Sequence, residues 1–269
     1  MGATITGVRD KLKRAHNHIA ELDRAIQKWG TSEQEAHPFV PHHQPERKRM
    51  VIKHGKVGPN DPAWPLIVGD IIHNLRSALD HIVCQLAILH GNDISCCDAT
   101  YFPICICKPD FKKAEKRLQD LISAPAFTLI EELQPYKAAD RGKRPIADVL
   151  WTVHKLDIID KHRIMLVVGK KFRATDLTYT LDDAPPVPVE VDGSWRPLED
   201  GTEIASIDLT TVAFKSGAKN IMRMQGGSEA QIIIDETGCA CDGFEVGKVM
   251  LACEHRVSEV VEIFRSKFF

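Results

Sequence analysis

Residues 69–81 read GDIIHNLRSALDH and residues 154–163 read HKLDIIDKHR, and the periodicity of these two stretches decides the fold. With about 100° per residue and His73 at zero, Asp70, Ser77, Asp80, His81 and Cys84 fall within about 80° of it. Asn74 lies just beyond, and Arg76 flanks the group on the other side. Ile71, Leu75, Ala78, Leu79, Ile82, Leu86 and Leu89 cover the opposite side, so the helix is two-faced. Solvated helix faces draw on Lys and Glu, which are good helix formers with well-hydrated heads. Neither residue occurs from Val57 to Cys107. The polar face is therefore expected to hold a specific site or network, not a plain solvated surface.

The second stretch belongs to a helix running from about Pro145 to Arg163. Its apolar residues, Leu150, Trp151, Val153, Leu156, Ile158 and Ile159, point in nearly every direction, which predicts burial. Its charges must then be paired or stand at an opening, because a lone buried charge is costly. Asp157 and Lys161 are four apart in the favourable order. The other polar groups are expected to find partners on the first helix, with His73, Asp80 or His81 near His154 or Asp157.

Outward from these two helices, Thr6–Trp29 has helical periodicity and Gly30 is expected to end it. Residues 31–62 are rich in Pro and His and read as a long loop, with a short strand at Arg49–Ile52. Asp61-Pro62 starts the first polar helix and Gly91 closes it. Short helices are expected at Pro109–Ile122 and Pro125–Leu133. The period then changes. Ile164–Val168, Leu177–Leu181, Val187–Val191, Glu203–Leu209 and Gln231–Asp235 read as strands separated by turn residues, with Gly226-Gly227-Ser228 as a turn. Phe244–Phe268 is helical again. The predicted class is α+β: a helical bundle over residues 1–163, a β-rich insertion over 164–243, and a C-terminal helix, 244–269, returning to the bundle.

The chain has 269 residues, 43% of them hydrophobic and 27% charged, enough to bury a real core. No signal peptide or membrane span is visible, so a cytoplasmic protein is expected. Net charge is −2, but residues 1–56 hold 11 Lys/Arg against 6 Asp/Glu, a balance that could meet an acidic partner. No P-loop, nucleophile elbow or dinucleotide fingerprint occurs, and no cofactor is expected.

Together with Phe102-Pro103-Ile104 and Leu133-Gln134-Pro135-Tyr136, the two opening stretches resemble a group of bacterial and phage-borne proteins with no assigned activity. Arg76 and His81 also form an Arg-x4-His spacing inside a helix. This resembles the motif of the HEPN family, all-helical bundles that include metal-independent ribonucleases. The resemblance implies RNA as substrate and a homodimer that brings two motifs together. It also implies that Arg76 holds the scissile phosphate and His81 acts as general acid or base, roles suited to a bidentate guanidinium and a titrating imidazole. Arg9/His16, Arg47/His54 and Arg49/His54 share the spacing, and only the helical context singles out Arg76/His81. His73, Asp80, His154 and Asp157 complete the candidate catalytic set.

Two other readings stand beside this one. Asp70 with His73, and His154 with Asp157, are three apart on helix faces, as carboxylate–His metal ligands are in dinuclear bundles, with Glu21 and Glu254 as further ligands. Alternatively the two helices share a non-enzymatic buried polar network. The eight cysteines lack zinc-site spacing and read as buried or incidental thiols.

Overall fold

The computed structural model describes residues 2–36, 40–55, 58–59, 61–93, 100–162, 168–182, 184–191, 193–212 and 221–269. The helices among them are α1 (Thr6–Ala36), α2 (Ala63–Leu89), α3 (Lys108–Leu121), α4 (Ala124–Glu132), α5 (Val149–His162) and α6 (Val246–Phe268). The strands are β1 (Val40–Gln44), β2 (Arg49–Lys53), β3 (Val168–Leu181), β4 (Val187–Pro188), β5 (Arg196–Pro197), β6 (Glu203–Asp208) and β7 (Met222–Ile234). The class is α+β, as the two periodicities predict. Arg163, the expected strand residues 164–167, and Cys96 and Cys97 lie outside the described residues.

The chain forms two compact units, residues 1–24, 62–168 and 234–269, and residues 25–61 and 169–233. The helical unit is built around α2. Pro65 sits in its first turn, where a missing N–H leaves no helical bond unmade. Val68, Ile71, Ile72, Leu75, Leu79, Ile82 and Val83 are fully buried, and α2 packs against both α5 and α6. The apolar stripe of α6, from Val246 through Met250, Cys253 and Val257 to Phe264, is buried along its length. Phe102 stands edge-on to Phe264, with ring centroids 6.4 Å apart.

The second unit departs from the expected insertion. Within residues 31–62 the expected strand Arg49–Ile52 is present as β2, and part of the stretch read as a loop adds β1: β1 pairs with β2, and β2 with β6, both antiparallel. Val51 and Ile52 are fully buried, and Ile52 joins Phe172, Leu177, Leu198, Ile204 and Ile207 in one core. Residues 25–61 thus belong with the β-rich part and not with the bundle. Local periodicity misses this because β1, Val-Pro-His-His-Gln, has neither alternation nor β-branched content beyond Val40. Helix α1 also continues through Gly30 to Ala36. A single interior glycine costs about 1 kcal/mol, too little to stop an otherwise favourable helix. Gly226 is not in a turn but inside β7, where a Cβ would lie 2.9 Å from the Cα of Leu177. The two strands approach so closely there that only glycine fits. A second sheet joins β4, β3 and β5, with β7 on β3. No described helix is long and apolar enough to cross a membrane.

Candidate functional site

The α2–α5 interface gathers most of the polar residues that the two opening stretches single out. Gly69 lets it close: a Cβ there would collide with the carboxylate of Asp160. The expected non-solvent face of α2 divides in two. Asp70, His73 and His81 are exposed, Asp80 and Ser77 are half-buried, and Asn74 and Arg76 are buried. Asn74 turns back on its own helix, its Nδ2 donating to the Asp70 carbonyl at 2.7 Å.

Arg76 and Asp80 form a clamp. The Arg76 Nη2 donates to Asp80 Oδ1 at 2.8 Å and to the Phe102 carbonyl at 2.5 Å. Asp80 Oδ1 in turn accepts from the Phe102 N–H at 2.8 Å. The i, i+4 ion pair thus satisfies both backbone groups of one residue in a stretch without regular structure. Gln134, fully buried, does the same nearby. Its Oε1 accepts from Cys105 N–H at 3.0 Å, and its Nε2 donates to the carbonyls of Pro103 at 2.8 Å and Ile130 at 3.0 Å. Side-chain clamps from α2 and from the turn after α4 therefore hold residues 102–105, which connects three of the four quoted stretches.

Part of the polar set is left over from this clamp. Arg76 Nη1, His154 Nδ1 and Asp157 Oδ1 are buried without a hydrogen-bond partner among the described residues. Arg76 and Asp157 are themselves only 6% and 4% exposed. The three share one electrostatic neighbourhood. Burial, reinforced by the charge of Arg76 and opposed by that of Asp157, pushes the His154 imidazole down to about 4. The ring also packs on Trp151, with centroids 5.3 Å apart. Asp157 spends its other oxygen on Lys161, 2.7 Å away, the expected helix pair. Burial raises the Asp80 carboxyl, against the lowering charge of Arg76, and Asp157 adds to the rise. Burial and the charge of Asp157 likewise raise Asp160, whose neighbourhood includes His73 and Asp70.

Arg76, Asp80, His154 and Asp157 are thus brought together. His81 is turned elsewhere: five residues place it about 140° round the helix from Arg76. Its Nδ1 lies 3.6 Å from where a Cβ on Gly7 of α1 would be. Burial lowers its pKa, helped by the charge of Lys11 and opposed by that of Asp80. Of the proposed further metal ligands, Glu254 pairs with His16 at 2.9 Å and Glu21 with His18 at 3.0 Å. Among the described residues no group of three or more His, Cys, Asp or Glu is placed to hold a metal.

Sequence reasoning assigned no role to Asp160 or Gly69, whose contact sets the interface. The signal was available, since a glycine inside a long helix marks a close approach. The role of Gln134 had no signal, because a clamp on a non-regular stretch follows no period. Comparison with family models, curated proteins and solved structures returned no significant match.

Proposed function

We propose that the α2–α5 interface is a metal-independent acid–base site for cleaving RNA, with His154 in the role that the Arg-x4-His resemblance gives to His81. The observation that carries this is that three buried polar atoms of one electrostatic neighbourhood, Arg76 Nη1, His154 Nδ1 and Asp157 Oδ1, are not used by the clamp. Buried polar groups are ordinarily satisfied, and unsatisfied ones concentrate at functional sites. Arg76 Nη1 offers an N–H to a phosphate oxygen, while the rest of the guanidinium is fixed by Asp80 and Phe102. His154, neutral above about 4, accepts the 2′-hydroxyl proton as that oxygen attacks phosphorus. Asp160, with its raised pKa, supplies a proton to the departing 5′-oxygen. The products are a cyclic phosphate and a free 5′-hydroxyl. The HEPN-like resemblance further implies that two copies associate.

Arg76→Lys would keep the charge but lose the fork, and is not conservative here. The test compares wild type, His154→Ala and His81→Ala on a labelled RNA in EDTA. His154→Ala is expected to lose about 10²–10⁴-fold in rate, and His81→Ala to keep wild-type activity. Loss in His81→Ala with retention in His154→Ala would restore the original assignment.

A second reading is favoured by the clamp itself: Arg76 is spent on Asp80 and Phe102, so the polar set could serve only to brace the bundle. In that case wild type cuts no RNA, and both Arg76 and His154 variants lose stability.

A further inference from the structure

The turn between β7 and α6 is held by its own bonds. Gly243 N–H donates to the Ile234 carbonyl at 2.7 Å and Ile234 N–H to the Phe244 carbonyl at 2.9 Å. Cys239 N–H reaches the Glu236 carbonyl at 3.0 Å, and Phe244 N–H the Cys241 carbonyl at 3.1 Å. Asp242 Oδ1 accepts from Glu236 N–H at 3.0 Å. This turn carries Cys239 and Cys241, both buried, with sulfurs 2.7 Å apart. Nonbonded carbon atoms, smaller than sulfur, rest at ~3.5–4.0 Å, and a disulfide bond is ~2.05 Å long. The two thiols are therefore held closer than unbonded contact, by a loop whose backbone is already fixed.

We propose that Cys239 and Cys241 are a reversible dithiol–disulfide pair that exchanges with low-molecular-weight disulfides such as oxidised glutathione. Cys239 attacks first. The hydrogen bond from Cys241 holds its thiol down at about 7, below the ordinary range, while Cys241 is raised. The Cys239 thiolate attacks one sulfur of the small disulfide, whose S–S bond breaks, and one thiolate departs. Cys241 then loses its proton, and its sulfur attacks Cys239 sulfur, expelling the second small thiolate. Two cysteine thiols are oxidised by two electrons, one disulfide is reduced to two thiols, and the two protons end on the released thiols.

Cys253 of α6 is the third thiol of the neighbourhood. Its complete burial pushes it up to about 12, so it stays a protonated bystander. Among the described residues no group of three or more His, Cys, Asp or Glu is placed to hold a metal.

Trypsin separates the partners, since no Lys or Arg lies between Arg223 and Lys248, or between Lys248 and Arg256. Reduced full-length protein is incubated with oxidised glutathione, quenched with acid, alkylated with N-ethylmaleimide in denaturant, digested and weighed. Peptide 224–248 should appear two hydrogens lighter and free of maleimide, and reversibly so with dithiothreitol. Peptide 249–256 should carry one maleimide on Cys253. Cys241→Ser should stop at a glutathione adduct on Cys239, and Cys253→Ser should close as wild type does. Two maleimides on peptide 224–248, or a cross-link between the two peptides, would overturn the proposal.

Discussion

Replacing Arg76 by Met keeps the apolar stem of the side chain and removes the guanidinium that holds Asp80 and the Phe102 carbonyl. The carbonyl is left without its donor, which costs about 1–3 kcal/mol when buried. Breaking a buried ion pair from one side costs about 3–5 kcal/mol. The Asp80 side chain is 31% exposed, so solvent screens part of that loss. The two penalties overlap, and about 3 kcal/mol is a fair total. For a unit of this size that lowers Tm by roughly 6–12 °C. The deficit depends on pH with a definite sign. The folded-state pKa of Asp80 is already raised above its usual 3.8, and losing Arg76 raises it further. In the window between 3.8 and the raised value the folded chain binds more protons than the unfolded one, so stability rises as pH falls. Arg76 also lowers the His154 pKa, so its removal lets that ring take a proton in the fold more easily, which works in the same direction. The Tm gap between Arg76→Met and wild type should therefore narrow from pH 7.5 towards pH 4.5, read by thermal circular dichroism. Adding Asp80→Asn to Arg76→Met removes the stranded charge and should recover part of the loss at pH 7.5. A variant melting within about 1 °C of wild type, or a gap that widens on acidification, would refute the clamp.

Gln134→Ala deprives Cys105 N–H and the Pro103 carbonyl of their partners and should cost about 2–4 kcal/mol, measured by urea unfolding; an unchanged midpoint would show that the stretch is held otherwise. His154 should titrate near 4 by NMR and climb in Arg76→Ala. Because its folded pKa is depressed, it withdraws stability as pH falls from 6.5 towards about 4. A midpoint near 6.5 in wild type would mean that the ring is neither buried nor near Arg76.

The sequence makes the helices legible because they repeat. The stripe of α6 and the Asp157–Lys161 pair follow from spacing alone. The same arithmetic made the polar face of α2 stand out, yet it could not sort that face by partner. Angle around a helix does not say which neighbour packs there, so His81 and Arg76 looked like one site although α1 lies against the first and α5 acts near the second. Two strands of the first sheet, Arg49–Ile52 and Glu203–Leu209, were legible, but β1 and the pairing that joins them were hidden for a related reason. Val51 and Ser206 are opposite one another on paired strands, and pairing across that separation leaves no local period. Gly69 and Gly226 were visible as glycines, but the side chain and strand that each accommodates become known only once the partners are placed.

The rate of RNA cleavage by the wild-type protein, measured in EDTA across pH 3.5–9, tests the α2–α5 site most directly. The surroundings of that site are rich in carboxylates, Asp70, Asp80, Asp157 and Asp160, against the cations Arg76 and Lys161. An anionic substrate meets least repulsion where the raised carboxyls of Asp80 and Asp160 are protonated, while His154 must remain unprotonated to accept the 2′-hydroxyl proton. The rate should therefore rise as His154 loses its proton near 4, peak on the acid side, and fall as Asp160 ionises. No cleavage at any pH, or a rate that climbs steadily through neutral to alkaline pH, would contradict the assignment of Arg76, His154 and Asp160 to catalysis.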